Sequence, residues 1–563
     1  MKLKPAVKII TWILMGIFII LLGFIGYQEI FNKTVYIDGF LAADTYVVSL
    51  YDEAKSEIKE EYRGMAIKVK EIKDDENYYE VKIEKEIYYL KKENFSKIET
   101  GIVKEEEIYL RTNTVLYQDS ESYHIIAPLK KGEQLLVTGS VGLNEKGKVT
   151  HYKVGSGEKE GFVREKYTTF TKELADLNYD EENNYKTHDE EGRERSFSGG
   201  DPSKLDYYPE EKPKFENNVM PEIVYSWYLN TGVLKNVDLY IALAEGTKIN
   251  AFVVDIKDNK APGYKSKVFE EYAPTNYKWA NNTVEEYQTA IAKLKDAGFY
   301  VIGRITTFKD EYYINDHPEY AALKTNTTEP YRHQNTYWPS PFIREVWEYN
   351  IALAKEAVTL MGFNEIQFDY VRFPDLTSTL EKNGLIDFQN KYDEEKAEAI
   401  QNFLLYARDE LHEEEVYISA DVFGESANTY VTAYGQYWPA ISNVVDVISA
   451  MPYPDHFNEF EYGFKVPVWT IPYDLLTLWG GSVMKRQAET PSPAIVRTWI
   501  QGYNVTVRSN REAVTYNAAK MTEQIEGLFD AGLNGGYMVW EASSSRGKLE
   551  NNITAYQKDY KEE

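Results

Sequence analysis

The sequence predicts an α/β protein whose C-terminal part is a (β/α)8 TIM barrel, preceded by an N-terminal transmembrane helix and a small β-rich domain. Two observations support this class. After Pro221, short apolar strands alternate with helical patterns of roughly ten to fifteen residues, the sequence form of repeated βα units. Near the N-terminus, twenty consecutive residues carry no charge. At 563 residues the chain exceeds the size at which one hydrophobic core keeps growing, so more than one folded unit is expected.

The first predicted element is the uncharged run Ile9–Gln28, which is about as long as a helix that crosses the hydrocarbon core. Three lysines precede it, and this bias keeps the short N-terminus in the cytoplasm and places the rest outside. We therefore expect residues 1–30 to be a cytoplasmic stub and signal anchor of a single-pass cell-membrane protein with extracytoplasmic C-terminal domains. A cleaved signal peptide is the alternative, although Gly23–Gln28 offers no convincing small-x-small cleavage site.

The next two stretches are predicted to be small modules. Residues 34–106 mix short apolar alternation with dense Glu and Lys and are assigned only as a small spacer region, α+β or β-rich. Residues 107–171 contain short β-patterned runs separated by Gly, Asn and Ser turns, at the spacing of a small barrel. With Leu129-Lys130-Lys131-Gly132 before a strand and Gly161-Phe162-Val163 near the end, this stretch resembles a bacterial SH3-like domain. Such domains contact cell-wall peptides or act as spacers, and both roles stay open.

A linker is predicted between these modules and the barrel. Residues 172–215 are rich in Asp, Glu, Asn, Gly and Ser and poor in aliphatic residues, so they cannot bury enough surface to fold alone. We expect an acidic, flexible linker there, followed by the barrel in residues 216–563.

The composition excludes several classes of partner. A formal net charge of −27 repels phosphate backbones and makes nucleic acid an unfavourable partner. The chain has no cysteine, and its seven histidines show no metal-ligand spacing. We therefore expect neither a metal site nor a cofactor.

Eight strand-like segments follow Pro221, the number that closes a (β/α)8 barrel. They are Glu222–Trp227, Ala251–Asp255, Tyr300–Ile305, Glu365–Tyr370, Val416–Asp421, Val445–Met451, Ile495–Gln501 and Gly536–Glu541. Helical periodicity marks Val284–Ala297, Glu345–Met361 and Glu394–Leu411 between them. The longest insertion, Phe308–Phe342, follows the third strand, where such excursions build the rim of an active site.

Polar side chains stand at the ends of several strands, where barrel enzymes carry their reacting groups. Carboxyl groups at such ends are Asp255, Asp369, Asp421 and Glu541. One such group alone is more often an ion-paired structural residue or a helix cap, but four at equivalent positions favour chemistry. Glycoside hydrolysis needs one protonated carboxyl group, which donates to the leaving oxygen, and one ionised group, which attacks or activates water. Asp369 and Asp421, on neighbouring strands, are the natural pair.

Four motifs connect the barrel with a known family: Val253–Lys257, Phe363–Pro374, Ser419–Gly424 and Asp446–Pro454. They resemble the motifs of the DUF4015-type family of glycosyl-hydrolase-like barrels, over about residues 220 to 545. The resemblance implies a glycoside hydrolase distantly similar to amylase-like barrels, with Asp369 as nucleophile or base and Asp421 as acid/base. Amylase-like barrels usually have Glu where Asp421 stands. Glu541, where this family more often has Asn, is the third catalytic candidate.

Other residues near the strand ends are candidates for substrate binding. Arg304 and Arg372 could hold a neighbouring carboxylate ionised, or they could form structural ion pairs. Aromatic faces near strand ends could stack on sugar rings, or they could simply pack the top of the barrel. The complete set of substrate-binding candidates is Asp255, Lys257, Arg304, Gln367, Arg372, Tyr453, Trp499 and Trp540.

The sequence therefore predicts a cell-surface glycoside hydrolase that acts on a cell-wall or other extracellular polysaccharide, peptidoglycan included, without a cofactor. The alternative is a non-catalytic protein that binds carbohydrate or organises the cell wall through a barrel cleft. The separation of the two carboxyl groups discriminates between them, because about 5 to 10 Å spans the geometries of retaining and inverting hydrolases.

Overall fold

The computed structural model describes residues 13–21, 35–73, 75–177, 199–506 and 513–560. The chain forms two compact units. The first holds the described residues up to Tyr109 together with Gln134–Phe170, and the second holds Leu110–Glu133 together with the described residues from Thr171 onward. Part of the predicted SH3-like domain, Leu110–Glu133, thus groups with the barrel.

The predicted transmembrane helix is not supported. No helix among the described residues is long and apolar enough to cross a membrane. The predicted span Ile9–Gln28 lies largely outside those residues, and the part of it that is described, residues 13–21, is helical (α1).

Residues 35–106, predicted only as a spacer, form a β module with antiparallel strands. The strands are β1 Tyr36–Leu41, β2 Val47–Tyr51, β3 Glu57–Tyr62, β4 Ala66–Glu71, β5 Tyr78–Ile83, β6 Glu86–Lys91 and β7 Phe95–Ser96. Their order in the sheet is β3-β2-β6-β5-β4-β1-β7. Alternate residues such as Val48, Leu50, Val69 and Val81 fill the core, as the two-residue period of a half-buried strand requires.

The predicted SH3-like domain is also β-rich. Its strands are β8 Glu107–Leu110, β9 Thr114–Tyr117, β10 Ile125–Leu129, β11 Gln134–Val141, β12 His151–Ser156, β13 Lys159–Arg164 and β14 Thr168–Thr169. They repeat the strand order of the first module. This repeat was not predicted, although Tyr79-Glu80-Val81 and Tyr152-Lys153-Val154 at equivalent strands are both followed by a Glu-Lys-Glu triplet. Membership of the SH3-like class stays a prediction.

A buried ion pair lies inside the first unit. The side chain of Arg63 is inaccessible to solvent and lies 2.5 Å from Glu105. It also donates to the carbonyl oxygens of Ala43 and Gly147. Because Gly147 belongs to the second β module, Arg63 ties segments of both modules together.

The C-terminal part forms a nearly closed barrel of parallel strands. They are β15 Val224–Leu229, β16 Ala251–Asp258, β18 Tyr300–Thr306, β22 Glu365–Asp369, β24 Tyr417–Phe423, β25 Val447–Met451, β26 Ile495–Val496, β27 Thr498–Gln501 and β28 Gly536–Trp540. β15 pairs with both β16 and β28, β26 pairs with β25, and β27 pairs with β28. Only Arg497 separates β26 from β27, so the predicted seventh strand is present in two pieces.

Short strands lie outside the barrel in its loops: β17 Ala261–Pro262, β19 Leu323–Lys324, β20 Arg332–His333, β21 Thr336–Tyr337 and β23 Ile386–Asp387. Three of them, β19 to β21, fall in the insertion Phe308–Phe342 that the sequence analysis singled out. The insertion therefore carries structure of its own.

Helices alternate with the barrel strands. The described α-helices after α1 are α2 Lys172–Asp176, α3 Val237–Ala244, α4 Lys267–Tyr272, α5 Pro274–Trp279, α6 Val284–Asp296, α7 Glu311–Asp316, α8 Arg344–Met361, α9 Thr377–Lys382, α10 Lys396–His412, α11 Trp438–Ser442, α12 Pro472–Ala488, α13 Ala518–Asp530, α14 Arg546–Asn551 and α15 Ile553–Gln557. Thr283 and Glu286 form a capping box at the start of α6. α8 ends at Gly362, whose φ of 67° suits glycine. α6, α8 and α10 correspond to the three helices predicted by periodicity.

The predicted linker, residues 172–215, is described at both ends: residues 172–176 form helix α2, and residues 199–215 pack against the barrel. Leu205 and Tyr207 are buried with Tyr437 in one hydrophobic cluster. Gln401 of α10 exchanges two hydrogen bonds of 2.7 Å with the backbone of Asp206. Residues 199–215 are therefore not a flexible linker, because their few apolar and backbone groups find partners on the barrel. Residues 178–198 lie outside the described residues.

The hairpin of β9 and β10, in the same unit as the barrel, contacts two of its helices. The Tyr406 hydroxyl of α10 donates to the Tyr123 carbonyl oxygen at 2.6 Å. Asn113 donates to Glu398, also on α10, at 3.1 Å. The Ile125 N–H donates to Glu348 of α8. The barrel unit thus includes a piece of the chain that precedes the predicted linker.

Candidate active site

The strand register aligns polar side chains at the carboxyl ends of four neighbouring strands. Asp255 of β16 lies opposite Arg304 of β18. Asp369, the last residue of β22, lies opposite Thr306, two residues beyond Arg304. Asp421 follows on β24, the next strand. Because successive side chains alternate between the two faces of a strand, these four groups share the interior face.

Arg304 lies between three buried carboxyl groups, and a fourth, the partly exposed Asp258, lies 3.8 Å from its NH1 atom. Its NH1 atom is 2.6 Å from Asp255 Oδ1, and its Nε donates to Asp369 Oδ2 at 3.1 Å. The same Nε is 3.9 Å from Asp421 Oδ2. Arg304 and these three buried aspartates, named here the Arg304 cluster, are each at most 5% exposed. Charge-assisted bonds of this kind are about twice as strong as neutral ones.

The two candidate catalytic carboxyl groups are close together. The distances of 3.1 and 3.9 Å from Arg304 Nε limit the separation of Asp369 Oδ2 and Asp421 Oδ2 to their sum, 7.0 Å. A much larger gap would have excluded the chemistry of paired carboxyl groups.

Asp421 lies in an environment that favours its protonated form. Burial and the negative charge of Asp369 raise the pKa of Asp421 well above its ordinary value. One oxygen, Oδ1, accepts a bond of 2.8 Å from the indole N–H of Trp499. The other oxygen, Oδ2, is buried without a hydrogen-bond partner in the described structure. A proton on Asp421 would remove the buried charge.

Asp369 has the opposite surroundings. Its Oδ2 accepts from two nitrogens of Arg304, and its Oδ1 accepts from the Tyr370 N–H at 2.6 Å. Tyr370 has a φ of 50°, in the left-handed region, which costs a residue with a side chain about 1–2 kcal/mol. The backbone thus turns sharply where Asp369 ends its strand, and donors at both oxygens suit an ionised carboxylate.

Asp255 is the third carboxyl group of the cluster. Burial raises its pKa to about 6, although the Arg304 charge and a hydrogen bond from the Tyr228 hydroxyl act in the opposite direction. Three carboxyl groups around one guanidinium cannot all be ionised cheaply in a buried site. The arrangement therefore keeps a proton, and Asp421 is the group best placed to hold it.

Aromatic rings cover this cluster. The Trp540 ring lies 4.5 Å from the Tyr228 ring and 5.6 Å from the Trp499 ring, between centroids. The Arg304 guanidinium lies 5.1 Å from the centroid of Trp540. Tyr453 is buried in the same hydrophobic cluster as Tyr228 and Trp499. The predicted aromatic candidates are thus brought to the carboxyl pair.

Two predicted site residues lie elsewhere. Lys257 is fully buried beside α8, where its Nζ donates to Asp310 at 2.8 Å and to Asn350 at 3.1 Å. A bulge between Asp255 and Lys257 accompanies this change of direction. Glu541 accepts from Ser545 N–H at 2.7 Å and from Lys548 at 2.6 Å, which holds it in the loop before α14 and lowers its pKa.

Arg372 and Gln367 also differ from expectation. Arg372 pairs with Asp375 at 3.1 Å, and its guanidinium lies 4.3 Å from the Phe423 ring centroid, so it does not hold Asp369. Gln367 is buried inside the barrel, where its Nε2 lies 3.4 Å from Ser449 Oγ. Its Oε1 has no partner in the described structure. These two residues are near the site but do not bond to the carboxyl pair.

Sequence reasoning missed Tyr228. The predicted first strand ended at Trp227, whereas β15 extends to Leu229. Because Val224 and Tyr228 both pack in the interior cluster, the two-residue period of the strand could have identified Tyr228 as facing Asp255. Among the described residues, no group of three or more His, Asp and Glu side chains is arranged to hold a metal ion.

The fold and the site define an α/β barrel with a buried carboxyl pair at the carboxyl ends of its strands. Residues 224–545 match the DUF4015 family, described as "Putative glycosyl hydrolase domain". This match spans more than half of the chain, and the protein belongs to that family. A comparison with curated proteins finds no significant relative.

Several solved structures are similar to part of this chain. A hypothetical protein from Ruminiclostridium thermocellum is 35% identical, with coverage of 35% of this chain and 97% of that chain and a TM-score of 0.30. The glycoside hydrolase domain of PgaB (BpsB) from Bordetella bronchiseptica is 12% identical over 59% of this chain and 99% of that chain, with a TM-score of 0.42. The chitobiase of Flavobacterium johnsoniae is 11% identical over 59% of this chain and 47% of that chain, with a TM-score of 0.40.

Proposed function

We propose that the barrel is a glycosidase that cleaves a polysaccharide through Asp369 and Asp421. The observation that carries this proposal is the contrast between two adjacent carboxyl groups. One accepts from a guanidinium and a backbone N–H, and the other is buried with an unpartnered oxygen. Paired carboxyl groups in opposite protonation states are the requirement of glycoside hydrolysis.

In the proposed reaction, Asp421 gives its proton to the glycosidic oxygen as the bond from that oxygen to the anomeric carbon breaks. Asp369 either attacks the anomeric carbon or takes a proton from the water that does so. Arg304 donates to Asp369 and Trp499 orients Asp421. Trp540 and Tyr453 present apolar rings against which a sugar could pack.

The alternative is a binding or scaffolding protein that does not turn over its carbohydrate. The near-complete burial of the Arg304 cluster favours this alternative, since a structural ion-pair network has the same appearance. In that case a substrate could not reach the carboxyl groups. Turnover measurements distinguish the enzyme from the binding protein.

The place of action is also a proposal. The apolar run Ile9–Gln28, with lysines before it, supports an anchored protein whose barrel meets cell-wall or extracellular polysaccharide. The β modules would then contact the wall or act as spacers. Protease added to intact cells should release the barrel, and a barrel that resists until the cells are lysed would contradict this location.

The test of the enzymatic proposal is hydrolysis of a panel of polysaccharides, including peptidoglycan, by the full-length protein. Asp369→Asn and Asp421→Asn should each lower turnover about 10²–10⁴-fold, because each removes a general acid or its partner. Both variants should stay folded in thermal denaturation. Turnover equal to the wild type in either folded variant would remove that residue from the mechanism.

Asp310→Asn is the matched control. Asp310 is fully buried and paired with Lys257 outside the Arg304 cluster. Its loss should lower stability, and turnover should fall only as far as the folded fraction falls. If all three variants behave in this way, the cluster is structural and the binding alternative stands. Glu541→Gln, with its carboxylate held in its own loop, should leave turnover nearly unchanged.

A further inference from the structure

A cavity of about 600 Å³ lies at the carboxyl ends of β24 and β25. Phe423 and Met451 lie on its barrel side, and Trp479 and Ser482 of α12 lie on another. The remaining lining residues include four polar or charged groups of the loops, namely Glu425, Asn428, Asn458 and Glu461. Cavities of this size hold small ligands or single units of larger ones.

The cavity adjoins the proposed catalytic pair. Asp421 and Phe423 are two residues apart on β24, so their side chains share a face and are separated by about 7 Å. Met451, which also lines the cavity, packs against the interior cluster that contains Trp499 and Tyr453. A glycan bound at Asp421 and running along this side would place a neighbouring sugar in the cavity.

Glu425 is an exposed residue at the edge of this cavity, and neutral donors orient its carboxylate. Its Oε1 accepts from the Tyr430 hydroxyl at 3.1 Å and its Oε2 from the Tyr434 hydroxyl at 2.7 Å. Burial and the Glu425 charge raise the pKa of Tyr434 well above its ordinary value, so this phenol remains a donor. The carboxylate is thus oriented in advance, and its charge is not cancelled by these bonds.

Cations are scarce in the lining. Among the described residues, no ion pair involves Glu425 or Glu461, and the lining contains no lysine or arginine. Glu461 accepts a bond from the neutral Asn458 amide at 2.7 Å. Arg372 does not line the cavity: its guanidinium lies 4.3 Å from the Phe423 ring centroid and 5.9 Å from the Tyr434 ring centroid, and it pairs with Asp375. The one basic ring of the lining, His456, already lies 3.7 Å from Asp455.

Aromatic rings complete the lining: Tyr430, Phe457, Tyr462 and Trp479. Flat apolar faces suit the faces of pyranose rings, and they also attract ammonium groups through cation–π contact. Carboxylates without counter-ions beside such faces favour a ligand that is both a sugar and a cation. A neutral sugar that displaced the water around Glu425 would leave its charge without compensation, and a uronic acid would be repelled.

We propose that this cavity is a sugar subsite next to the carboxyl pair and that it selects a hexosamine with a free ammonium group. The inference rests on the proposed function, and it names the substrate class as a glycan with de-N-acetylated amino sugars. Glu425 is the specificity-determining residue, and Glu461 adds to the negative potential.

The test is calorimetric binding to the full-length Asp421→Asn protein, so that ligands survive the titration. The probes are three tetrasaccharides of equal length, built from glucosamine, from N-acetylglucosamine and from glucose. The glucosamine tetramer should bind at least about ten-fold more tightly than the other two, which corresponds to about 1.4 kcal/mol. Higher salt should reduce this preference.

Glu425→Gln, in the same background, should abolish most of the preference for glucosamine while leaving the affinity for the other two tetramers unchanged. Glu459→Gln is the matched control, because Glu459 lies in the same loop as Glu461, is exposed and does not line the cavity. It removes the same charge and should leave the preference intact. Equal binding of the three tetramers, or a preference that Glu425→Gln does not change, would overturn the inference.

The two proposals fail separately. If the wild-type protein hydrolyses a glycan with no preference for free amino groups, the selection of hexosamine is wrong and the glycosidase stands. If the wild type hydrolyses none of the panel but the glucosamine preference depends on Glu425, the enzymatic proposal fails and the cavity remains a binding site.

Discussion

Two aspartates of the Arg304 cluster differ only through their neighbours. Asp369 accepts from a guanidinium and a backbone N–H, whereas Asp421 accepts one indole N–H and is otherwise enclosed. In such pairs the surroundings, and not the residue type, decide which group donates a proton. The consequence is that residues without acid–base chemistry of their own, such as Trp499, should control the pH dependence of turnover.

Trp499→Phe tests this control. The indole N–H bond to Asp421 lowers the pKa of Asp421, against the larger raising effect of burial. Without it the basic limb of the kcat/KM profile should move to higher pH, because the ionised form of Asp421 loses a hydrogen-bond donor. Trp540→Phe changes a ring that stacks nearby and should leave that limb in place. An unchanged limb in Trp499→Phe would exclude Asp421 as the acid.

Asp255 should produce a pH dependence of stability. Its pKa is about 6 in the folded protein against 3.8 ordinarily, so between these values only the folded state holds the proton. This contribution to the free energy of unfolding is therefore largest below pH 4 and is lost as pH rises to about 6, by about 3 kcal/mol in total. The Asp255→Asn variant has no titratable group at this position, so its stability lacks this pH-dependent contribution. Chemical denaturation from pH 4 to 7 should show the wild type losing stability relative to the variant, and a constant difference would contradict the pKa shift.

The sequence located the carboxyl pair but could not assign the protonation states. Strand-end position and alternation identify Asp369 and Asp421 from local pattern alone. The states depend on Arg304 and Trp499, which reach the pair through strand register and closure of the barrel. Lys257 and Arg372 were predicted to bind substrate from their strand-end positions alone. A bulge turns Lys257 to Asp310, and a loop turns Arg372 to Asp375, and neither change can be read from local pattern.

At the scale of elements, periodicity predicted the barrel strands closely because apolar runs between Gly and Asn turns are strong local signals. The seventh strand differed from its predicted form, a single strand over Ile495–Gln501. It is interrupted at Arg497, whose NH1 lies 2.9 Å from each oxygen of Glu365 on β22. No local pattern shows that a charged residue faces the inside of a barrel, because its partner is far away in sequence.

Arg497→Met should destabilise the barrel strongly. Both Arg497 and Glu365 are fully buried, so loss of one partner leaves an uncompensated charge and should lower the free energy of unfolding by about 3–5 kcal/mol. The double variant with Glu365→Gln should recover a large part of this loss, which denaturant titration would measure. A double variant less stable than Arg497→Met would show that the pair is not the cause.

At the scale of the whole molecule, composition misplaced the boundary of the barrel unit. Low aliphatic content predicted a linker up to residue 215, yet Leu205 and Tyr207 are buried. Composition averages over a window, and two well-placed side chains are lost in that average. Pairing of the hairpin of β9 and β10 with α8 and α10 is equally invisible to local pattern.

A fragment that begins at residue 199 should therefore be more stable than one that begins at residue 216. Burial of Leu205 and Tyr207 contributes about 1.5–3 kcal/mol each, so the shorter fragment should lose about 3–6 kcal/mol. Denaturation of the two fragments side by side measures the difference. Tyr207→Ala in the longer fragment should reproduce about half of it. Equal stabilities would show that this segment packs without holding the barrel.

The pair of Glu365 and Arg497 also constrains how the barrel can be made. During synthesis Glu365 emerges long before Arg497, and the ribosome adds only about 5–20 residues per second. For that interval the nascent strand β22 cannot enter a dry interior, because its carboxylate has no counter-charge. The barrel part of the nascent chain should therefore stay unfolded and hydrated until β27, the last strand but one, has left the ribosome. A chain truncated before residue 497 should therefore not fold into a partial barrel. It should instead be bound by chaperones or degraded by proteases.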